Sequence, residues 1–179
     1  MNQAIFCCGC FWCTEAVFKR LKGVYNVKSG YTGGFVKHPT YREVCQGTTG
    51  HAEGILINYN SEEISYESLL EVFFSTHNPT TLNRQGNDAG TQYRSAIFYT
   101  SDSQKESAEE YILFLEGSKV FSDPIVTTIS PLDFFYDSEE NHHDYYDQNS
   151  QQSYCQFVIS PKIKLLNKRF KEMLKSDEN

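Results

Sequence analysis

The stretch QAIFCCGCFWCTEAVFKRLKG (residues 3–23) changes from the pattern of a strand to the pattern of a helix. Its first part is short, apolar and bounded by Gly9, which is typical of a buried strand. Its second part places Phe11, Glu15 and Phe18 at helical spacing. A strand that leads directly into a helix predicts a fold in which the two kinds of element pack on each other.

The rest of the chain continues this alternation. Strand patterns occur at 24–32, 52–60, 94–100 and 124–130, and helix patterns at 65–77, 101–117 and 160–176. The elements are few and two loops are long, 32–51 and 77–92, and such loops usually carry function. We therefore expect an α+β fold, a two-layer α/β sandwich with a mixed or antiparallel sheet and a ferredoxin-like core.

The composition limits the classes of function. The 179 residues are enough for one domain, and we expect a single catalytic domain over 1–179 with a tail from about residue 137 that holds a mobile loop and a terminal helix. The net charge of −7 argues against non-specific binding of nucleic acid. No long apolar run and no signal-peptide pattern is present. We expect a cytoplasmic monomer that binds neither nucleic acid nor membranes.

Four of the six cysteines fall close together at 7, 8, 10 and 13. Cys10 and Cys13 have the spacing of zinc ligands, but a structural zinc site usually needs a second pair of ligands. The only other dense cluster is His142–His143, which we interpret as solvated loop residues, so no metal is expected. Cysteines 7 and 8 lie in the apolar strand and are expected to pack as small hydrophobic side chains.

Cys10 follows Gly9 at the turn from strand to helix. Its thiolate would lie at the positive end of the helix, where cysteine pKa values fall, and the glycine would leave the sulfur approachable. A buried thiol in an aromatic core is an equally good interpretation of the same pattern. Cys13 is one helical turn away, and Cys-x-x-Cys at the start of a helix predicts a thiol redox enzyme with an undetermined chemical partner.

Five blocks, in the right order over about residues 5–162, together resemble type A peptide methionine sulfoxide reductases, the MsrA family. The blocks are GCFWCTEAVF (9–18), GYTGG (30–34), PTYREVCQGTTGHAEGI (39–55), QGNDAGTQYRSAIFY (85–99) and YCQFVISPK (154–162). The resemblance implies that Cys10 is the nucleophile, which attacks the sulfoxide sulfur and becomes a sulfenic acid. It also implies that Phe11 and Trp12 form the pocket for the substrate methyl group.

The same resemblance implies how the sulfoxide oxygen is handled. Glu53 matches the carboxyl group that protonates the oxygen, Tyr41 and Tyr93 match two hydroxyls that hydrogen-bond to it, and Asp88 matches a supporting polar residue. An acid that keeps its proton near neutral pH must be buried, because a solvated Glu has a pKa of about 4.3. Without the motifs, Glu53 would be a solvated strand end, and the two tyrosines would be ordinary packing residues.

The resemblance also implies that a second thiol resolves the sulfenic acid and that thioredoxin is the final reductant, with no metal or organic cofactor. Cys155, after a polar tail loop, matches the resolving position and is favoured on grounds of access and mobility. Cys13 is the alternative, where many members of the family have glycine. Cys45 matches a common cysteine of the family and is expected to be structural.

The implied activity is thiol-dependent reduction of methionine S-sulfoxide, free or in oxidised proteins, in the repair of oxidised protein. One rival is a general thiol–disulfide oxidoreductase that uses Cys10 and Cys13. A second rival is a zinc-binding interaction module. Neither rival needs Glu53, Tyr41 or Tyr93, so both rank below the reductase.

Overall fold

The structure is a computed structural model that describes residues 1–176. The strands are β1 (Asn2–Cys8), β2 (Val24–Thr32), β3 (Ala52–Tyr59), β4 (Arg84–Gln85), β5 (Asp88–Ala89), β6 (Ser95–Tyr99), β7 (Thr128–Pro131) and β8 (Phe135–Asp137). The helices are α1 (Phe11–Phe18), α2 (Tyr41–Cys45), α3 (Tyr66–Ser75), α4 (Asp102–Gly117), α5 (Tyr145–Gln148) and α6 (Ser160–Arg169). A π-helical segment, Cys155–Ile159, leads into α6, and short 3₁₀ turns lie at Thr91–Tyr93, Glu140–His142 and Lys171–Met173.

Six strands form one mixed sheet in the order β7-β6-β1-β3-β2-β8. The central strand β1 is antiparallel to β3 and β6, and β2 is antiparallel to β3 and β8. Only the β6–β7 pair within this sheet is parallel. The mixed sheet and its helices confirm the predicted fold class, and the narrower ferredoxin-like description stays a prediction.

The main core lies between the sheet and the helices. Alternate residues of a strand point to opposite faces, so Phe6 of β1 faces the helices while its neighbours face away. Its ring stacks on Phe18 of α1 at 5.4 Å and on Phe73 of α3 at 5.0 Å. These contacts fix α1 against the sheet immediately after the turn that contains Cys10.

The opposite face of the sheet holds a smaller core that includes Cys7. A Cβ atom added to Gly54 of β3 would lie 2.5 Å from Cys7 Sγ, so the thiol fills the space that the glycine leaves. Cys8, on the helix-facing side, is buried with its sulfur 3.3 Å from Thr14 Oγ1, and burial raises its pKa to about 11. Both thiols pack in the core, as the sequence predicted.

The tail differs most from the sequence-based expectation. Strand β7 begins four residues later than the pattern at 124–130 suggested, and β8 adds a further edge strand that no pattern indicated. Cys155 lies in helical backbone that continues into α6. In residues 1–176, every helix is too short or too polar to span a bilayer.

Candidate active site

The turn between β1 and α1 places Cys10 immediately before the first residue of the helix. Gly9 has φ of +93°, a left-handed conformation that other residues rarely adopt. A Cβ atom at this position would also approach the side chain of Gln85 to 2.8 Å. Cys10 is the N-cap of α1, and its carbonyl accepts from Cys13 N at 3.1 Å. The glycine is therefore required both by the turn and by the neighbouring loop.

Cys10 is only 7% exposed. Burial, the neighbouring Cys13 thiol and the charge of Glu53 raise its pKa well above the ordinary value, while the Trp12 N–H lowers it. The expectations of a lowered pKa and an approachable sulfur were therefore wrong for this structure. The N–H groups at the start of the helix do lower the pKa of Cys10, as expected. Desolvation raises that pKa by more, because the tail covers the thiol.

Cys13 has the opposite shift. A hydrogen bond from the Cys10 thiol lowers the pKa of Cys13 to about 7, against the effect of burial. Its sulfur also lies 3.6 Å from Tyr154 Oη, and that hydroxyl donates to Asp88 Oδ2 at 2.7 Å. Asp88 is thus connected to the Cys13 thiol through the Tyr154 hydroxyl.

Glu53 is a buried carboxyl group with one free oxygen. Its side chain is on β3 and is 1% exposed. Oε1 accepts from the Phe11 N–H at 3.3 Å, while Oε2 has no hydrogen-bond partner among the described residues. Burial raises the pKa of Glu53 from 4.5 to about 8. At neutral pH the group keeps its proton, which is the property that the chemistry needs from an acid at this position.

The two candidate tyrosines come from two different short helical elements. Tyr41 begins the short helix α2, and its ring is 6.1 Å from that of Phe11. Tyr93 ends the 3₁₀ turn Thr91–Tyr93 and packs against the buried cluster that contains Cys10. Both rings are half-buried, and burial raises both phenol pKa values, so both hydroxyls stay protonated as donors.

The apolar wall is formed by Phe11 and Trp12. Phe11 is completely buried, 5.6 Å from the ring of Tyr31. Trp12 is half-buried, and its indole lies flat on Tyr145 of α5, with ring centroids 3.7 Å apart. Tyr154 meets the same indole edge-on at 5.9 Å. The wall is therefore completed by residues of the tail.

His142 is part of this wall and not a solvated loop residue. It is 5% exposed, and its Nδ1 accepts from Trp12 Nε1 at 3.2 Å. Its ring lies 4.2 Å from that of Tyr41, and burial lowers its pKa. His143 is half-buried, near Ser29 Oγ at 3.3 Å. The interpretation of both as solvated was wrong, because the tail packs His142 on Trp12 and His143 beside Ser29.

Polar contacts clamp this part of the tail to α1. Glu15 Oε1 accepts from Asp144 N at 2.5 Å, and Lys19 pairs with the Asp144 carboxylate at 2.6 Å. Lys19 and Arg20 both reach Asp147. Glu15 is buried, its Oε2 has no partner among the described residues, and burial raises its pKa to about 7. The clamp holds the aromatic residues of the tail over Trp12.

Both candidate resolving thiols belong to one buried cluster with Cys10. The cluster comprises Cys10, Cys13, Ala16, Cys155 and Ile159. Cys155 has no exposed surface, and the six cysteines are all unpaired. Burial and the charge of Cys13 raise its pKa. Residues 1–176 contain no group of three His, Cys, Asp or Glu side chains arranged to hold a metal ion.

The model of the family described as peptide methionine sulfoxide reductase matches residues 2–174 of this chain. The chain belongs to the peptide methionine sulfoxide reductase family. The reductase is 51% identical to the peptide methionine sulfoxide reductase MsrA of Acinetobacter baumannii over 176 residues, which covers 98% of this chain and 100% of that protein. The family predicted from the motifs is therefore confirmed.

Solved structures of a yeast protein have the same fold. The reductase is similar to reduced Mxr1 from Saccharomyces cerevisiae, with a TM-score of 0.77 and 36% identity, covering 86% of this chain and 88% of that chain. It is also similar to Mxr1 in complex with Trx2, with a TM-score of 0.53 and 25% identity, covering 80% of this chain and 84% of that one.

In this reductase the contacts described above gather every candidate residue around the turn at Cys10. Sequence reasoning missed three residues of the wall, His142, Tyr145 and Tyr154. The density of histidine and tyrosine in the tail was a signal for them, but a solvated aromatic loop gives the same pattern. Their packing on Trp12 follows from the tertiary fold.

Proposed function

We propose that this chain reduces methionine S-sulfoxide, free or in oxidised proteins, to methionine. The free oxygen of the buried Glu53 carboxyl group carries the proposal, because a protonated carboxyl without a partner is suited to donate to a sulfoxide oxygen. Cys10 lies beside it, and Phe11 and Trp12 supply an apolar wall for a methyl group. The preference for the S epimer rests on the resemblance to the family.

In the first step the Cys10 sulfur attacks the sulfoxide sulfur. Glu53 protonates the oxygen, and Tyr41 and Tyr93 donate hydrogen bonds as negative charge develops on it. The oxygen passes to Cys10, which becomes a sulfenic acid, while the substrate sulfur is reduced to a thioether. Cys13, with its lowered pKa, gives the Cys10 proton a nearby acceptor.

In the second step a thiol attacks the sulfenic acid, which releases water and forms a disulfide. A dithiol reductant then restores both thiols and is itself oxidised to a disulfide, which is the acceptor only when the reaction is written in the direction of methionine oxidation. We propose thioredoxin as that reductant, supported by the complex of the related Mxr1 with Trx2. The proposed location is the cytoplasm, because the cycle needs reduced thiols. No step requires a metal or organic cofactor.

The identity of the first disulfide is a specific prediction. We propose Cys13 as the partner of Cys10 in that disulfide, because a hydrogen bond from the Cys10 thiol lowers the pKa of Cys13. Cys155, which the sequence favours, belongs to the same buried cluster and is the alternative. After one turnover without reductant, we expect peptide mass spectrometry to find Cys10 paired with Cys13. In Cys13→Ser, the expected pair is Cys10 with Cys155. A Cys10–Cys155 disulfide as the first product of the wild type would contradict the assignment.

The proposed function is tested by a comparison of the two sulfoxide epimers. With thioredoxin or dithiothreitol as reductant, we expect turnover of the S epimer and little or none of the R epimer. Failure to reduce the S epimer would remove the proposal.

A general thiol–disulfide oxidoreductase is the second candidate. The contact between Cys10 and Cys13, with a Cys13 pKa of about 7, is the observation that favours it. Such an enzyme would reduce insulin disulfides equally well after Glu53→Gln. We expect slow insulin reduction and a strong requirement for Glu53 in the sulfoxide assay.

A further inference from the structure

Glu139 lies outside the predicted site and joins three parts of the molecule. It precedes the 3₁₀ turn Glu140–His142 in the tail. The Tyr41 N–H donates to its two carboxylate oxygens at 3.2 and 3.1 Å. The Tyr31 hydroxyl donates to one of the same oxygens at 3.1 Å. One carboxylate therefore connects the tail, the start of α2 and strand β2.

The contact with Tyr41 matters because α2 has only five residues. A helix of that length has little stability of its own, and its first N–H groups have no partners within the helix. Thr40 caps the N–H of Glu43 at 3.2 Å, and Glu139 takes the N–H of Tyr41. The backbone position of Tyr41 thus depends on a side chain that is 98 residues away in sequence.

The hydrogen bond from Tyr31 holds the Glu139 carboxylate against a buried residue of the sheet. Tyr31 is completely buried in β2, and its ring packs 5.6 Å from Phe11. A buried phenol needs a hydrogen-bond partner, and Glu139 provides it. Glu139 therefore fixes α2 relative to the strand that supports the apolar wall of the site.

We propose that Glu139 is a positioning residue that sets the place of the Tyr41 hydroxyl in the active site. The inference rests on the proposed function, in which Tyr41 donates to the sulfoxide oxygen. Glu139 does not touch the reacting atoms; it acts through the backbone of Tyr41. A displacement of about 1 Å in such a donor can lower a rate by up to ~10²-fold.

A double-mutant cycle tests this coupling. We expect Glu139→Ala to lower the single-turnover rate of methionine S-sulfoxide reduction roughly 10-fold, and Glu139→Gln, which keeps an acceptor, to lose less. In a Tyr41→Phe background, Glu139→Ala should cost less than about 2-fold, because the group that Glu139 positions is gone. Equal losses in both backgrounds would show a general structural role and would overturn the proposal.

Glu140→Ala is the matched control, because Glu140 is the exposed acidic residue directly after Glu139 and begins the 3₁₀ turn Glu140–His142. We expect its rate and melting temperature to match those of the wild type. A second measurement does not depend on activity. In protein labelled with 3-fluorotyrosine, the Tyr41 ¹⁹F signal, assigned by its loss in Tyr41→Phe, should shift or broaden in Glu139→Ala and stay in place in Glu140→Ala. An unmoved signal in Glu139→Ala would refute the inference, whereas an inactive wild type would refute the proposed function.

Discussion

Cys10→Ser is expected to lower kcat/KM for methionine S-sulfoxide by roughly 10³-fold or more. A hydroxyl is a much weaker nucleophile toward sulfur than a thiol, and it cannot accept the oxygen as a sulfenic acid. The buried position of Cys10 does not change this, because the change from sulfur to oxygen is nearly isosteric and should leave the fold intact. The measurement is single-turnover kinetics, with a thermal melt for each variant.

Cys8→Ser is the matched control. Cys8 is also a buried thiol near the start of α1, and serine can keep its contact with Thr14. We expect its activity to stay near that of the wild type. In a Cys13→Ser, Cys155→Ser double variant, a sulfenic-acid probe should label Cys10 after one turnover. Label on any other cysteine would assign the nucleophile elsewhere.

Glu53→Gln is expected to slow the first step by on the order of 10²- to 10³-fold. The carboxyl group donates its proton at neutral pH because burial raises its pKa to about 8, and the amide cannot transfer a proton in this way. In the wild type the rate should fall as pH rises through about 8, because ionised Glu53 is no longer an acid. In Glu53→Gln this falling limb should disappear.

Glu53→Gln lowers the rate but is expected to raise the stability of the fold at high pH. The pKa of Glu53 is raised in the folded chain, so its contribution to stability is full below pH 4.5 and is lost as pH rises through about 8. Glutamine carries no charge to bury. We therefore expect Glu53→Gln to melt a few degrees higher than the wild type at pH 9 and close to it at pH 5.

Glu15→Gln is the control for the pH dependence of the rate. It shows whether the falling limb belongs to Glu53 or to any buried carboxyl group. Glu15 is buried with a pKa raised to about 7, but it faces the tail and not the substrate. Its variant should keep the falling limb near pH 8. A limb that survives in Glu53→Gln, or vanishes in Glu15→Gln, would assign the acid to another group.

The parts of the fold that were predicted correctly depend on local pattern. The apolar run of β1, the turn at Gly9 and the helical spacing of α1 are each visible within a few residues, and the structure contains all three. The helix α1 ends at Phe18, earlier than the stop that the sequence predicts at Gly23. Glu53, Tyr41 and Tyr93 have no local signal of their own. They could be selected only because the motifs around them resemble a known family.

The remaining features arise from contacts between distant parts of the chain. The hydrogen bond of Trp12 with His142 spans 130 residues, and no periodic pattern encodes it. The pKa of Cys10 is a second property that local sequence patterns do not predict. Its sequence neighbours predict a lowered value, whereas burial under the tail raises it. Local reasoning gave the sign of the helix contribution but could not include desolvation by residues far along the chain.

The clamp between α1 and the tail has a consequence for the order in which the enzyme becomes competent. A ribosome makes Trp12 130 residues before His142, which belongs to the aromatic cover over the indole. A nascent chain therefore carries Cys10, Phe11 and Trp12 before the tail residues that complete the wall, and the catalytic centre is complete only when Asp144 has reached Glu15. Selectivity is thus acquired only after the segment around Asp144 has been made and has packed on α1.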